Sequence, residues 1–314
     1  MNRRTWINGA VAAPLVLAGQ QAAFAQSTGP AVRIGDAMGD PYLQGFCAVD
    51  GGFFQKGGLN VDFQTFTSGT PITQGVVTGN LDIGIATPLA VATAVTHGVP
   101  LVIIAPGGIN NAKVPSGYLI VAKSSTIQSA KDLVGKPIGL ASLRTLHELT
   151  LLTWFQNSGV DPAKAKIIEL TFGEMGPAIE RGTIAAAMQV EPLASGLVKA
   201  NAVRVVDGPN RAIPEFLGAT WFTTADYARK NPDVVRRFAA IMAAVSRWAN
   251  AHQRESGDIL ARVGKMDPDV VRGMARCQFA DVLRLAQIQP VLDAATKVGF
   301  LSRHVAASEL VVQS

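Results

Sequence analysis

Along residues 30–110, short apolar runs alternate with stretches whose apolar positions fall at helical spacing. "AVRIG", "LNVDFQTF", "LDIGIA" and "LVIIAP" read as strands, and Asp40-Pro41, Thr70-Pro71 and Thr87-Pro88 mark helix starts between them. The physical basis of each mark is the same. A side-chain oxygen satisfies an orphan amide of the first turn, and proline at the first helical position has no amide to lose. Strands alternating with helices in this way predict an α/β fold with largely parallel sheets.

"PIGLASLRTLHELTLL" (137–152) follows the same grammar with a different start signal. A buried strand leads into the capping box Thr145-x-x-Glu148, after which Leu146, Leu149 and Leu152 share one helical face, with a stop near Gly159. "RIG" at 33–35 is echoed by "PIG" at 137–139, "FQKGGL" from Phe54 by "FQNSGV" from Phe155, and "TGNLDIGIATP" (78–88) by "RGTIAAAMQVEP" (181–192). The echoes keep order and spacing, at offsets of 101 to 104 residues, and so predict two similar lobes.

After Val206 the chain turns loop-rich, with prolines at 209, 214 and 232, as suits a segment crossing between lobes. Asn231-Pro232 then opens a long helix with a core stripe of Val235, Phe238, Ile241, Met242, Val245 and Trp248. Residues 256–299 read as further short helices, punctuated by Asp267-Pro268 and closing near Gly299.

The first 25 residues follow a different pattern. Arg3 and Arg4, an apolar stretch over Val11–Ala18 and Ala23-Phe24-Ala25 before Gln26 predict a secretory signal peptide, using either the general or the twin-arginine route. Gln20 in "LAGQ" stands where a lipidated cysteine would be needed, so the expected product is periplasmic and not lipidated. The whole chain has 28 Lys and Arg against 23 Asp and Glu; losing Arg3 and Arg4 leaves 26 against 23, a net +3. With no basic cluster, the footprint of a nucleic-acid binder is missing.

Cys47 and Cys277 are either a disulfide, which an exported location would permit, or two separate buried thiols. The sequence contains no esterase elbow, phosphate loop or zinc helix, and His97, His147, His252 and His304 have no ligand partner at i+3 or i+4. No enzymatic activity, cofactor or metal is expected.

"FTSGTPITQGVVTGNLDIGIATPLAVATAVTHGVP" (66–100), "SAKDLVGKPIGLASLRTLHELTLLTWFQNSGVDP" (129–162), "AIERGTIAAAMQVEP" (178–192) and "ARKNPDVVRRF" (228–238) resemble the substrate-binding proteins of ABC importers. The resemblance is to the branch that binds taurine, alkanesulfonates, nitrate and thiamine pyrimidines. It implies a two-lobed, type II periplasmic binding protein with doubly wound lobes and an interlobe cleft. Residues 26–117 and 221–314 would form lobe 1, and 118–220 the inserted lobe 2. It also implies a monomeric receptor that hands a small anionic ligand to an ABC permease and ATPase complex. The positions it places in the cleft are Ser68 and Gly69 in "FTSGT", Thr87, Ser142, Arg144, Thr145, and Glu191 of the "EP" pair. Met38 and Asp40 are placed by element order after the first strand. Trp221, in the crossing segment, is either an aromatic wall or hinge packing, and His147 is either structural or a ligand contact.

The residues point to the same cleft without that resemblance. In doubly wound sheets ligands sit at the carboxyl ends of the strands, and a helix N-terminus there presents free amides and a partial positive charge to an anion. Ser142 and Thr145 can add hydroxyl donors and Arg144 a guanidinium fork. A few such bonds at ~1.5–3 kcal/mol each approach the ~8 kcal/mol of a micromolar site, so apolar contact must help to offset lobe closure. Arg144 replaces the small hydroxyl residue of the taurine-like pattern, and Glu215 is the only acid from Ile213 to Thr224, with Asp226 beyond it. Both features favour a sulfonate or carboxylate without an amine. The alternatives are a solute-sensing partner of a signalling receptor and a thiamine-pyrimidine-related binder or enzyme. Two isolated cysteines cannot supply the cysteine-rich iron motif associated with that enzyme's chemistry.

Overall fold

The computed structural model describes residues 31–312 except Thr67 and Ser116. The expected signal peptide, residues 1–25, lies outside the described residues. The strands are β1 (Val32–Ala37), β2 (Val61–Phe66), β3 (Ile83–Ala86), β4 (Leu101–Pro106), β5 (Gly108–Asn110), β6 (Tyr118–Ala122), β7 (Pro137–Leu140), β8 (Lys166–Glu169), β9 (Ala186–Gln189), β10 (Val203–Val206), β11 (Phe216–Leu217), β12 (Thr220–Thr224) and β13 (Gln278–Phe279). Two five-stranded sheets, ordered β2-β1-β3-β12-β4 and β8-β7-β9-β6-β10, form the centres of two lobes. A small sheet, β11-β5-β13, completes the set.

The two large sheets share one plan. In each, only the fourth strand, β12 or β6, runs against the others. Gly35 of β1 lies beside Gly84 of β3, and Gly139 of β7 beside Ala187 of β9, so the echoed "RIG" and "PIG" occupy equivalent positions. The glycines serve one packing need. A Cβ on Gly35 would lie 2.5 Å from Leu81 Cδ1, and one on Gly139 would lie 3.0 Å from Ile184 Cδ1. Leu81 and Ile184 each sit just ahead of the neighbouring parallel strand and fold back over it.

The first lobe's core gathers Ile34, Ile83, Ile85, Ile103, Phe222 and the expected stripe of the Pro232–Ala251 helix. Trp248 of that stripe is only half-buried, against Phe53 and His252 at ring distances of 5.9 and 5.1 Å. The second lobe closes over Leu119, Ile138, Leu140, Leu151, Phe155 and Met188. The Leu146–Asn157 helix belongs to both. Leu151 and Phe155 enter the second lobe's cluster, whereas Leu146, Leu149 and Leu152 join the first lobe's. β11 pairs with β5 in the small sheet before residue 221 is reached.

Cys47 and Cys277 are separate, free and buried thiols. Cys277 Sγ lies 3.3 Å from the Gln278 carbonyl oxygen, and burial raises both thiol pKa values, that of Cys47 to about 12. Among the described residues, no helix is long and apolar enough to cross a membrane.

Candidate functional site

The parallel strands bring their carboxyl ends to one edge of each sheet: Ala37, Phe66 and Ala86 in the first lobe, Leu140, Glu169 and Gln189 in the second. Helices start just beyond several of these ends, at Gly69, Pro88, Leu146 and Phe172. Beyond the end of β7, Arg144 reaches Phe300 of the first lobe's core, donating to its carbonyl oxygen at 2.6 Å. Tyr118, at the start of antiparallel β6, lies near Glu191 and within electrostatic reach of Asp40 in the other lobe. Burial, then these two carboxylates, raise the phenol pKa.

In the first lobe, Thr87 Oγ1 accepts the Ala90 amide at 3.1 Å and caps the Pro88–Thr96 helix as its sequence predicts. The next helix start differs from expectation. Ser68 is the N-cap and Gly69 the first helical residue, so Pro71 sits at the third position, where its missing amide is still an orphan. The Ser68 hydroxyl makes no capping bond and is exposed. Met38 is half-buried against the first core.

Asp40 caps no helix. Its Oδ1 accepts from Arg276 Nε at 2.8 Å and is in ion contact with Nη2 at the same distance, and its Oδ2 accepts the Cys277 amide at 2.5 Å. Burial raises the Asp40 pKa against the opposing pull of Arg276. A buried carboxylate needs a charged partner more than a helix turn needs a cap.

In the second lobe, Ser142, Leu143 and Arg144 are exposed, and Thr145 Oγ1 accepts the Glu148 amide. Glu148 does not complete the expected box at Thr145; its carboxylate accepts the Arg144 amide instead. Arg144 is not a free fork. Its Nη2 donates to Phe300 O at 2.6 Å and its guanidinium lies 4.9 Å from the Phe300 ring centroid. Glu191, ahead of a cis peptide to Pro192, accepts from Ser195 N and Oγ at 3.1 and 2.8 Å. His147 packs edge-on to Phe172 and against Gly117, where a Cβ would lie 2.7 Å from its ring.

Trp221 requires the plainest correction. It is fully buried, donates Nε1–H to Gln44 Oε1 at 2.9 Å, and packs edge-on to Phe238 at 5.1 Å. Its place in the middle of the first sheet, beside Ile85 and Ala105, makes it core and excludes it from the cleft. Sequence reasoning missed Tyr118, Arg276 and Phe300. Tyr118 starts a strand with an apolar run and could have been read from it, whereas nothing local marks the other two.

A groove of about 340 Å³ lies at the opposite edge of the first sheet, lined in part by Arg33, Asp82, Asp226 and Lys230. These four charges already pair, Arg33 with Asp82 and Lys230 with Asp226, at 2.6 and 2.7 Å. Among the described residues no group of three His, Cys, Asp or Glu side chains could hold a metal.

Two doubly wound lobes, each with helix starts at the carboxyl ends of its parallel strands, define a two-lobed binding protein of the periplasmic type II fold. The chain belongs to the NMT1/THI5-like family, whose model matches residues 42–256. It is 29% identical over 199 residues to the taurine-binding periplasmic protein of Escherichia coli (strain K12), an overlap of 61% of this chain and 58% of that one. The match thus spans less than two thirds of that relative. Its fold is shared with the periplasmic aliphatic sulphonate binding protein SsuA from Escherichia coli, at TM-score 0.74 and 18% identity over 90% of this chain and 92% of that chain. The alkanesulfonate-binding protein SsuA from Xanthomonas axonopodis pv. citri, bound to MOPS, gives TM-score 0.73 and 18% identity over 91% and 99%. These are binding proteins, not enzymes.

Proposed function

We propose that the protein is an extracytoplasmic receptor that captures a small organic anion, a sulfonate or carboxylate, and delivers it to an ABC permease and ATPase complex. The observation that carries this reading is the set of helix starts at the strand ends of both lobes, bridged by the bond from Arg144 to Phe300. Helix starts at Gly69, Pro88 and Leu146 present amides at those ends, which suit an oxyanion. Ser68, Thr87, Ser142 and Thr145 add hydroxyls, and exposed Leu143 offers apolar contact for an alkyl portion. The relatives' own ligands, taurine and sulfonates, agree with this chemistry.

Binding draws the lobes together only if ligand favours the closed form over the open one, and the permease then reads the closed form. The protein acts as a monomer exported by its N-terminal leader. Native mass spectrometry of protein taken from the periplasm tests the reading. A co-purified sulfonate or carboxylate is the expected result, whereas a cation or a neutral sugar in its place overturns it.

A further inference from the structure

We infer that Arg144 and Phe300 form a strut between the lobes that sets how far they open. Arg144 follows β7 of the second lobe. Phe300 lies 156 residues further on, in the first lobe's core just after the Gln289–Lys297 helix. The guanidinium engages Phe300 in two ways at once, donating to its carbonyl at 2.6 Å and stacking over its ring at 4.9 Å. Hydrogen bonding and cation–π attraction reinforce each other here because a planar guanidinium can serve both.

The backbone at Arg144 is built to hold this posture. Its φ of 58° is left-handed, a conformation that a residue other than glycine keeps only where neighbours fix it. Glu148 supplies that fixing by accepting the Arg144 amide from the first turn of the helix.

The place of the strut gives it leverage. Leu146, Leu149 and Leu152 bury one face of the Leu146–Asn157 helix in the first lobe, while Leu151 and Phe155 bury another in the second. The lobes cannot part at that helix without exposing a packed face, so rotation about it is the motion left to them. The Arg144–Phe300 contact stands at its N-terminal end and resists that rotation. Arg144 therefore acts as a positioning residue, tuning the open–closed equilibrium through Phe300 without needing to touch the ligand.

Pulsed electron–electron resonance on ligand-free protein tests the strut independently of ligand identity. Nitroxides are attached at Asp62→Cys on β2 and Lys166→Cys on β8, both exposed positions on edge strands. Cys47 and Cys277, 0% and 3% exposed, are shielded from labelling, with label on protein lacking the new cysteines as the control. Arg144→Ala should broaden and shift the distance distribution. Arg144→Lys and Phe300→Leu should shift it less, since each keeps part of the contact. The double variant Arg144→Ala/Phe300→Leu should match Arg144→Ala, because both changes remove one contact. Unchanged distributions in folded Arg144→Ala, or additive shifts in the double variant, overturn the proposal.

Discussion

Asp40 and Arg276 are 236 residues apart in sequence and joined by one hydrogen bond and one ion contact, both at 2.8 Å, with side chains 8% and 11% exposed. Arg276 is further anchored by donating to Gln253 O at 3.0 Å. The pair ties the end of β1 to the segment ahead of β13. Removing one member leaves the other charge buried, at a cost of about 3–5 kcal/mol. Arg276→Met should lose stability of that order in urea denaturation. The loss should be larger at pH 8 than at pH 5, because the stranded Asp40 can escape by protonation only towards acid.

Trp221 makes the distinction between core and cleft measurable. Trp221→Phe leaves the buried Gln44 Oε1 without its donor, a loss of about 1–3 kcal/mol. Chemical denaturation should show that loss, while the affinity for any cleft ligand measured by calorimetry stays within two- to three-fold of wild type, on the order of 0.5 kcal/mol.

Asp36 has a pH signature of its own. It is fully buried, its Oδ1 accepts the Ala37 amide at 2.7 Å, and its Oδ2 lies close against Gly45, where a Cβ would stand 2.1 Å away. Burial holds its pKa well above the ordinary 3.8. A carboxyl whose folded pKa is raised contributes stability that is complete below the unfolded value and is lost as pH rises towards the folded one. Asp36→Asn removes that loss at little change in shape. The unfolding free energy of the variant should therefore exceed that of wild type by a margin that widens from pH 5 upward, by about 1.4 kcal/mol per pH unit until the folded carboxyl ionises. A constant margin across pH 5 to 8 would mean that Asp36 is ionised in the fold.

What was legible in the sequence had local causes. Thr87 and Thr145 cap helices because hydroxyl and amide lie within four residues of each other. The paired "RIG" and "PIG" reveal the repeated lobe because a glycine is needed wherever a leucine or isoleucine folds back over the sheet. What was not legible has distant causes. Asp40 reads as a helix cap until Arg276 arrives from the far end of the chain, and nothing near Arg144 in sequence announces its bond to Phe300. For Trp221 the sequence leaves aromatic wall and hinge packing open because its neighbours suggest a crossing loop, and pairing with β3 and β4 makes that segment a central strand.

Isothermal titration of the purified protein with taurine, propane-1-sulfonate, butyrate and nitrate tests the anion cleft most directly. At least one sulfonate or carboxylate should bind with a micromolar dissociation constant. The paired change Ser68→Ala/Ser142→Ala should weaken it about tenfold or more, the worth of one or two hydroxyl bonds to a charged group. Absence of binding by all four at millimolar concentration, or full affinity in the paired variant, would contradict the account.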